Sequence, residues 1–264
     1  MPTPPLPGRG VAVELHGLHK RYGRHAVLAG VDLAVRPGEL LAIVGQSGTG
    51  KSVLLRQIIG LERPDAGTIA VGGLALPAYL ALAPEAKPFR IAMVFQSAAL
   101  LASLTVAENV GLRLRERRRH TPAEIDAVVH RVLEQVELAG AEDKLPGELS
   151  GGMRKRAAIA RALAIEPELI LYDEPTADLD PILTEQIALL IARIRTARGA
   201  TQVIVTHNLP LARAIADRIA LLAEGRIAEV STPDVFGASG HPLTRAFLRA
   251  AALGARGDLR HADQ

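Results

Sequence analysis

The segment Gly45-Gln46-Ser47-Gly48-Thr49-Gly50-Lys51-Ser52 has the spacing G-x-x-x-x-G-K-[ST]. Glycines at these positions let main-chain N–H groups turn inward onto phosphate oxygens. Lys51 then reaches the β- and γ-phosphates, and the Ser52 hydroxyl takes a place on Mg2+. A buried strand, "ELLAIVG", precedes the loop and an amphipathic helix, "SVLLRQIIGL", follows it, which is the context a phosphate grip needs. Further along, "LILYDEP" drives a central strand whose end presents Asp173 and Glu174. Asp173 suits Mg2+ through water. Glu174, next along the pleat, is expected to point the other way and polarise an attacking water as general base. An acidic pair at a strand end is often merely solvated; the phosphate loop is what gives this one a task.

Two polar residues close apolar strands: Gln96 after "RIAMVF" and His207 after "TQVIVT". In an open α/β sheet such tips gather at the carboxyl edge, where ligands bind. Gln96 can reach Mg2+ or the water, and His207 the γ-phosphate. Tyr22, in the polar stretch "KRYGRHAVL", is read as lying in a loop, where it serves equally as a surface anchor or a stacking platform for adenine. A second anion-binding helix start, Leu149-Ser150-Gly151-Gly152-Met153, lies about a hundred residues beyond the first grip. It cannot close over the nucleotide cradled by its own chain. A second copy related by a two-fold axis would bring Ser150 to the exposed γ-phosphate and receive the same contact in return. An ordinary glycine-containing N-cap has the same spacing.

These residues need strands and helices in alternation, and the chain supplies them. "VAVEL" and "VLAGVDLAV" read as early strands, while Pro77, Pro84 and Pro88 make residues 77–88 a loop or a broken helix. From Thr105 to Gly140 the pattern turns helical, with a capping box at Thr121-Pro122-Ala123-Glu124. Alternation resumes after Leu149 and ends in a hairpin turning at Glu224-Gly225. The domain plan is a disordered lead-in over 1–10, one ATPase domain over 11–248 with a helical subdomain at about 97–165, and a loose tail over 249–264.

With 264 residues, 48% of them hydrophobic, the chain is long enough to bury a substantial core. It has no cysteine, which excludes disulfides and thiolate metal sites. The formal charge of +3 is mild, and the one basic run, Arg113 to Arg119, reads as a solvated helix face, with anionic headgroups as the alternative partner. No apolar run approaches the eighteen or so residues a membrane span requires. The proline-rich start lacks a signal peptide's apolar stretch, so the expected location is cytoplasmic, with any membrane role needing a partner chain.

Taken in order, the motifs resemble those of the nucleotide-binding subunits of ATP-binding cassette (ABC) transporters: aromatic Tyr22, Walker A "GQSGTGKS", Gln96 of the Q-loop, signature "LSGGM", Walker B "LILYDE", D-loop "ADLD" with Asp180, and switch His207. The resemblance spans roughly Val11 to Leu248. It implies an α/β P-loop NTPase fold: a RecA-like core, an N-terminal antiparallel β subdomain and an inserted α-helical signature subdomain. It also implies a head-to-tail homodimer sandwiching ATP and Mg2+, the latter held by Ser52, Gln96 and Asp173, with Glu174, His207 and Gln96 catalytic and Leu149–Met153 acting across the interface. Nucleic acid is not an expected partner, since the long coiled-coil insertion or tandem cassette of ABC proteins acting on DNA or ribosomes is missing.

Val53 after the Walker Ser52 and Met153 after "LSGG" look most like the ATPases of Mla and other Mce-associated phospholipid transport systems. That narrower likeness implies an inner-membrane permease, a periplasmic Mce-domain lipid carrier, a STAS-fold regulator, and a peripheral position on the cytoplasmic face of the inner membrane. The alternative is an importer of amino acids or another small solute. Two positions depart from the family pattern: Asp178 stands where a small D-loop residue is common, and Asn208 where aspartate often follows the switch histidine.

Overall fold

The computed structural model describes residues 10–116 and 119–258. They form two compact units, one built mainly on Arg36–Glu39 and Ala81–Ile204, the other on Ala12–Val35, Leu40–Leu80 and the chain from Val205 onward.

The second unit begins with β1 (Val13–Tyr22) and β2 (His25–Val35), an antiparallel pair. The sequence suggests a first strand ending near Leu15 and a loop at Tyr22, yet β1 runs through to Tyr22. Register shifts around Gly17, at a φ of 55°, let the strand bulge and continue with its polar side chains outward. Then come β3 (Leu40–Val44), α1 (Lys51–Ile59), β4 (Ala66–Val71), β5 (Leu74–Ala75) and α2 (Leu76–Ala81). Strands β2-β1-β4-β5 make a four-stranded antiparallel sheet. All five residues of β3 are buried. Helix α1 sets Leu54, Leu55 and Ile58 against the core, each burial worth about 1.5–3 kcal/mol. Gly60, at a φ of 84°, ends it by donating to the carbonyls of Arg56 and Gln57. Pro77 falls in the first turn of α2, where its missing N–H costs nothing, so the broken stretch starts only beyond Ala81.

In the first unit, β6 (Ile91–Val94) is followed by α3 (Val106–Glu116), α4 (Pro122–Gln135) and α5 (Gly151–Ala164), then β7 (Leu169–Asp173), α6 (Pro181–Arg198) and most of β8 (Thr201–Thr206), whose last two residues fall in the second unit. Strands β6 and β7 pair in parallel, and the order is β8-β7-β6. Helices α3, α4 and α5 pack on one another as an insertion between these strands, burying Val106, Val110, Val129, Val132, Ile159 and Leu163. The capping box of α4 forms as its sequence indicates: Thr121 N–H donates to Glu124 at 2.7 Å, and Glu124 N–H returns a bond to Thr121 Oγ1 at 3.3 Å. Of the basic run, Arg113 pairs with Glu116 at 2.9 Å and Arg115 donates to the Glu108 carbonyl, while Arg117 and Arg118 lie outside the described residues.

Asn109 is fully buried on α3. Its Oδ1 accepts from Leu101 N–H, and its Nδ2 donates to the carbonyls of Leu101, Leu104 and Thr105, all between 2.8 and 3.1 Å. Asn109→Ala removes every one of these bonds. It is expected to cost about 1–3 kcal/mol in urea unfolding.

The second unit resumes with α7 (Leu209–Ile215), β9 (Arg218–Ala223), β10 (Arg226–Ser231), α8 (Pro233–Gly237) and α9 (Pro242–Asp258). The β9–β10 hairpin turns at Glu224 and Gly225, both at positive φ, and β9 pairs in parallel with β3, giving the order β10-β9-β3. Glu229 of β10 accepts hydrogen bonds from Ser231, Ser239 and Thr244, the last on α9. Helix α9 continues to Asp258, past the Leu248 at which the sequence suggests the fold ends. Among the described residues, no helix is long and apolar enough to cross a membrane.

Candidate nucleotide site

The phosphate loop lies between β3 and α1 in the second unit. Gly48 and Gly50 hold φ of 79° and 97°, conformations that a side chain disfavours. A Cβ on Gly45 would sit 2.4 Å from the Leu222 carbonyl oxygen, a main-chain atom that cannot step aside. Gly50 caps α1 without a side-chain bond. Lys51 is 6% exposed, and its Nζ donates to the Gly45 and Gln46 carbonyls, each at 2.9 Å. The cation is thus folded back over the loop it serves. Thr49 Oγ1 also donates to Gln46, closing the turn.

The same unit carries Tyr22 and His207. Tyr22 is the last residue of β1 and not a loop residue, and it is half exposed. Its hydroxyl donates to the Glu62 carboxylate, and Lys20 Nζ stands 5.7 Å from its ring centroid. Burial pushes the Glu62 carboxyl up, but the Tyr22 hydroxyl, Lys20 and Arg56 outweigh it and hold the group below its ordinary range. The same bond pushes the Tyr22 hydroxyl up, so the phenol keeps the proton it donates while the carboxyl stays ionised to accept it. His207 is exposed directly after β8. Asn208, the departure from aspartate, caps α7: its Oδ1 accepts from Leu211 N–H at 2.9 Å. The amide oxygen does there what a carboxylate would.

The first unit carries the remaining candidates. Asp173 ends the fully buried β7 and is itself buried. Glu174 adopts a φ of 44°, so the strand has already ended and its pleat does not set the side-chain direction. That corrects the expectation of simple alternation: Glu174 belongs to a turn, closed by Ala177 N–H donating to the Glu174 carbonyl. Asp178 sits at a φ of 63°, a conformation a short acidic side chain tolerates, and Asp180 caps α6 through a 2.9 Å bond from Leu183 N–H. Gln96 lies two residues beyond the end of β6, in a turn and exposed. Ser150 caps α5, its Oγ accepting from Met153 N–H at 3.3 Å, with Leu149 buried before it and Gly151 behind it. A Cβ on Gly152 would stand 3.2 Å from Leu183, so this glycine admits α6 at close range.

The candidates therefore divide. Tyr22, Gly45–Ser52 and His207 belong to one unit; Gln96, Leu149–Met153, Asp173, Glu174 and Asp180 belong to the other. Sequence reasoning missed Glu62, Lys155 and Arg161. Arg161 shows as a lone cation within the small and apolar "AAIARAL" stretch of α5, while Lys155 is masked within the basic run "RKR" before it.

A parallel-stranded core with a phosphate loop, an antiparallel sheet and an inserted helical signature block define an ATP-binding cassette protein. The chain belongs to the ABC transporter family, whose model matches residues 28–177. It is 38% identical over 257 residues to the probable ribonucleotide transport ATP-binding protein mkl of Mycobacterium leprae, covering 97% of this chain and 74% of that protein. It is 43% identical over 244 residues to the methionine import ATP-binding protein MetN of Bordetella pertussis, covering 90% and 67%. Among solved structures it resembles the dimeric post-hydrolysis state of the ATP-binding cassette MJ0796 bound to ADP and Pi, with a TM-score of 0.74, 32% identity, and coverage of 84% and 98%. The chain has the ABC ATPase fold expected from its sequence.

These relatives overturn the phospholipid reading, since they are named for ribonucleotide transport and methionine import. The two residues behind that reading report on packing. Val53 is 8% exposed on the core side of α1, and Met153 offers Ser150 a main-chain N–H that any residue could supply.

Proposed function

We propose that the chain is the ATPase subunit of an importer for an amino acid or another small solute, working as a homodimer with a separate membrane permease. ATP hydrolysis follows from family membership together with the intact phosphate loop. The observation that carries the solute class is the 43% identity to a methionine import subunit along 90% of the chain. The dimer is supported by the dimeric arrangement of the MJ0796 cassette. A peripheral place on the cytoplasmic face of the membrane follows, for the permease is the part that must span the bilayer.

In this reading Lys51 and the loop amides bind the triphosphate, and Tyr22 receives adenine. Glu174 accepts a proton from the attacking water while His207 and Gln96 orient the γ-phosphate and that water. Ser150 and the start of α5 act on the nucleotide of the partner copy. Among the described residues no cluster of three or more His, Cys, Asp or Glu forms a metal cage. That suits Mg2+, which is usually held by one or two protein groups and the substrate phosphates. Ser52, Asp173 and Gln96 are the groups that would hold it, and it would neutralise charge developing on the phosphates.

Uptake of radiolabelled L-methionine, other amino acids and ribonucleosides, compared in cells with and without the gene, tests the proposal. Uptake of one solute should fall and return with the wild-type chain but not with Glu174→Gln. Unchanged uptake across the set would overturn it.

A further inference from the structure

Just beyond β6, the main chain from Gln96 to Ala99 is held to the signature helix by two cations that the family motifs leave unassigned. Lys155, on the second turn of α5 and 7% exposed, donates its ammonium to the Gln96 carbonyl. Arg161, further along the same helix, spreads its guanidinium over the next turn: Nη2 donates to the Ala98 carbonyl at 2.8 Å and Nη1 to the Ala99 carbonyl at 2.6 Å. Ala98 and Ala99 sit at φ of 63° and 49°, a left-handed pair that favours glycine and persists only where its surroundings hold it. The far end of the segment is tied down separately by Asn109. Gln96 thus has a free side chain end on a main chain clamped to the helix whose cap is Ser150.

We propose that Lys155 and Arg161 are positioning residues that lock the Gln96–Ala99 main chain to α5, so that Gln96 and Ser150 are displaced as one body. A push on the exposed segment around Leu101 then reaches the signature helix without slack. The inference rests on the reading of Gln96, Ser150 and Glu174 given above.

The test is steady-state ATPase kinetics of the full chain carrying Lys155→Met, Arg161→Met, the double change, and the conservative Lys155→Arg and Arg161→Lys, with Glu174→Gln alongside. Each methionine variant should lose about 10–100-fold in kcat, the scale of a misplaced catalytic group, with KM for ATP within about twofold. The double variant should be no worse than the weaker single, as for two parts of one clamp. The conservative variants should recover most of the loss; they also serve if a methionine variant does not fold. An inactive Glu174→Gln beside methionine variants of normal kcat, even if less heat-stable, would overturn the clamp and leave the site reading standing. An active Glu174→Gln would remove the site reading itself, and the clamp with it.

Discussion

Glu174→Gln is expected to lower ATP turnover by about 10²–10⁴-fold, the range that a positioned general base supplies. The substitution keeps the size and shape of the side chain while removing the oxygen that takes the proton. Its effect on folding should be small, because the conformation is set by the main chain: Glu174 is held at a φ of 44° by the bond from Ala177 N–H, with buried Pro175 and Thr176 behind it. Phosphate release measures the loss, and size-exclusion chromatography with ATP should show the variant accumulating as a dimer, since binding continues and hydrolysis no longer resolves it. Turnover at the wild-type rate would take Glu174 out of the chemistry.

The second large effect comes from mixing two dead variants. Lys51→Ala should lose nucleotide binding, because its charge-assisted bonds to the phosphates have no substitute and its loop carbonyls are left facing the site. Ser150→Arg should leave ATP binding to the single subunit intact and abolish hydrolysis, because a bulky cation replaces the cap of α5. If the signature acts across a two-fold interface, a heterodimer of the two pairs the intact loop of one copy with the intact Ser150 of the other. Random pairing of equal amounts then predicts roughly a quarter of wild-type activity, since half the dimers carry one working site of two. A mixture as inactive as its components would rule out the shared site.

Much of this protein was legible beforehand because the informative features are local. The glycine spacing of residues 45–52 is dictated by φ angles and by the close passage of the Leu222 carbonyl, so it reads directly from the chain. The capping box at Thr121 and the hairpin at Glu224-Gly225 are equally short-range. Likeness at Val53 and Met153 misled about cargo for the opposite reason: Val53 is packed against the core, and Met153 lends the cap of α5 only a main-chain N–H.

The amino-acid sequence by itself determined that this is an α/β protein with a phosphate loop and a second glycine-bearing helix start, because those properties depend on residues adjacent along the chain. Only the tertiary structure decided that Tyr22 ends a strand pinned to Glu62, that Glu174 lies in a turn, and that Lys155 and Arg161 grip main-chain carbonyls about sixty residues away. Carbonyl acceptors are the same in every residue and leave no mark on side-chain composition. A cation's partner among them becomes visible only once the chain is folded.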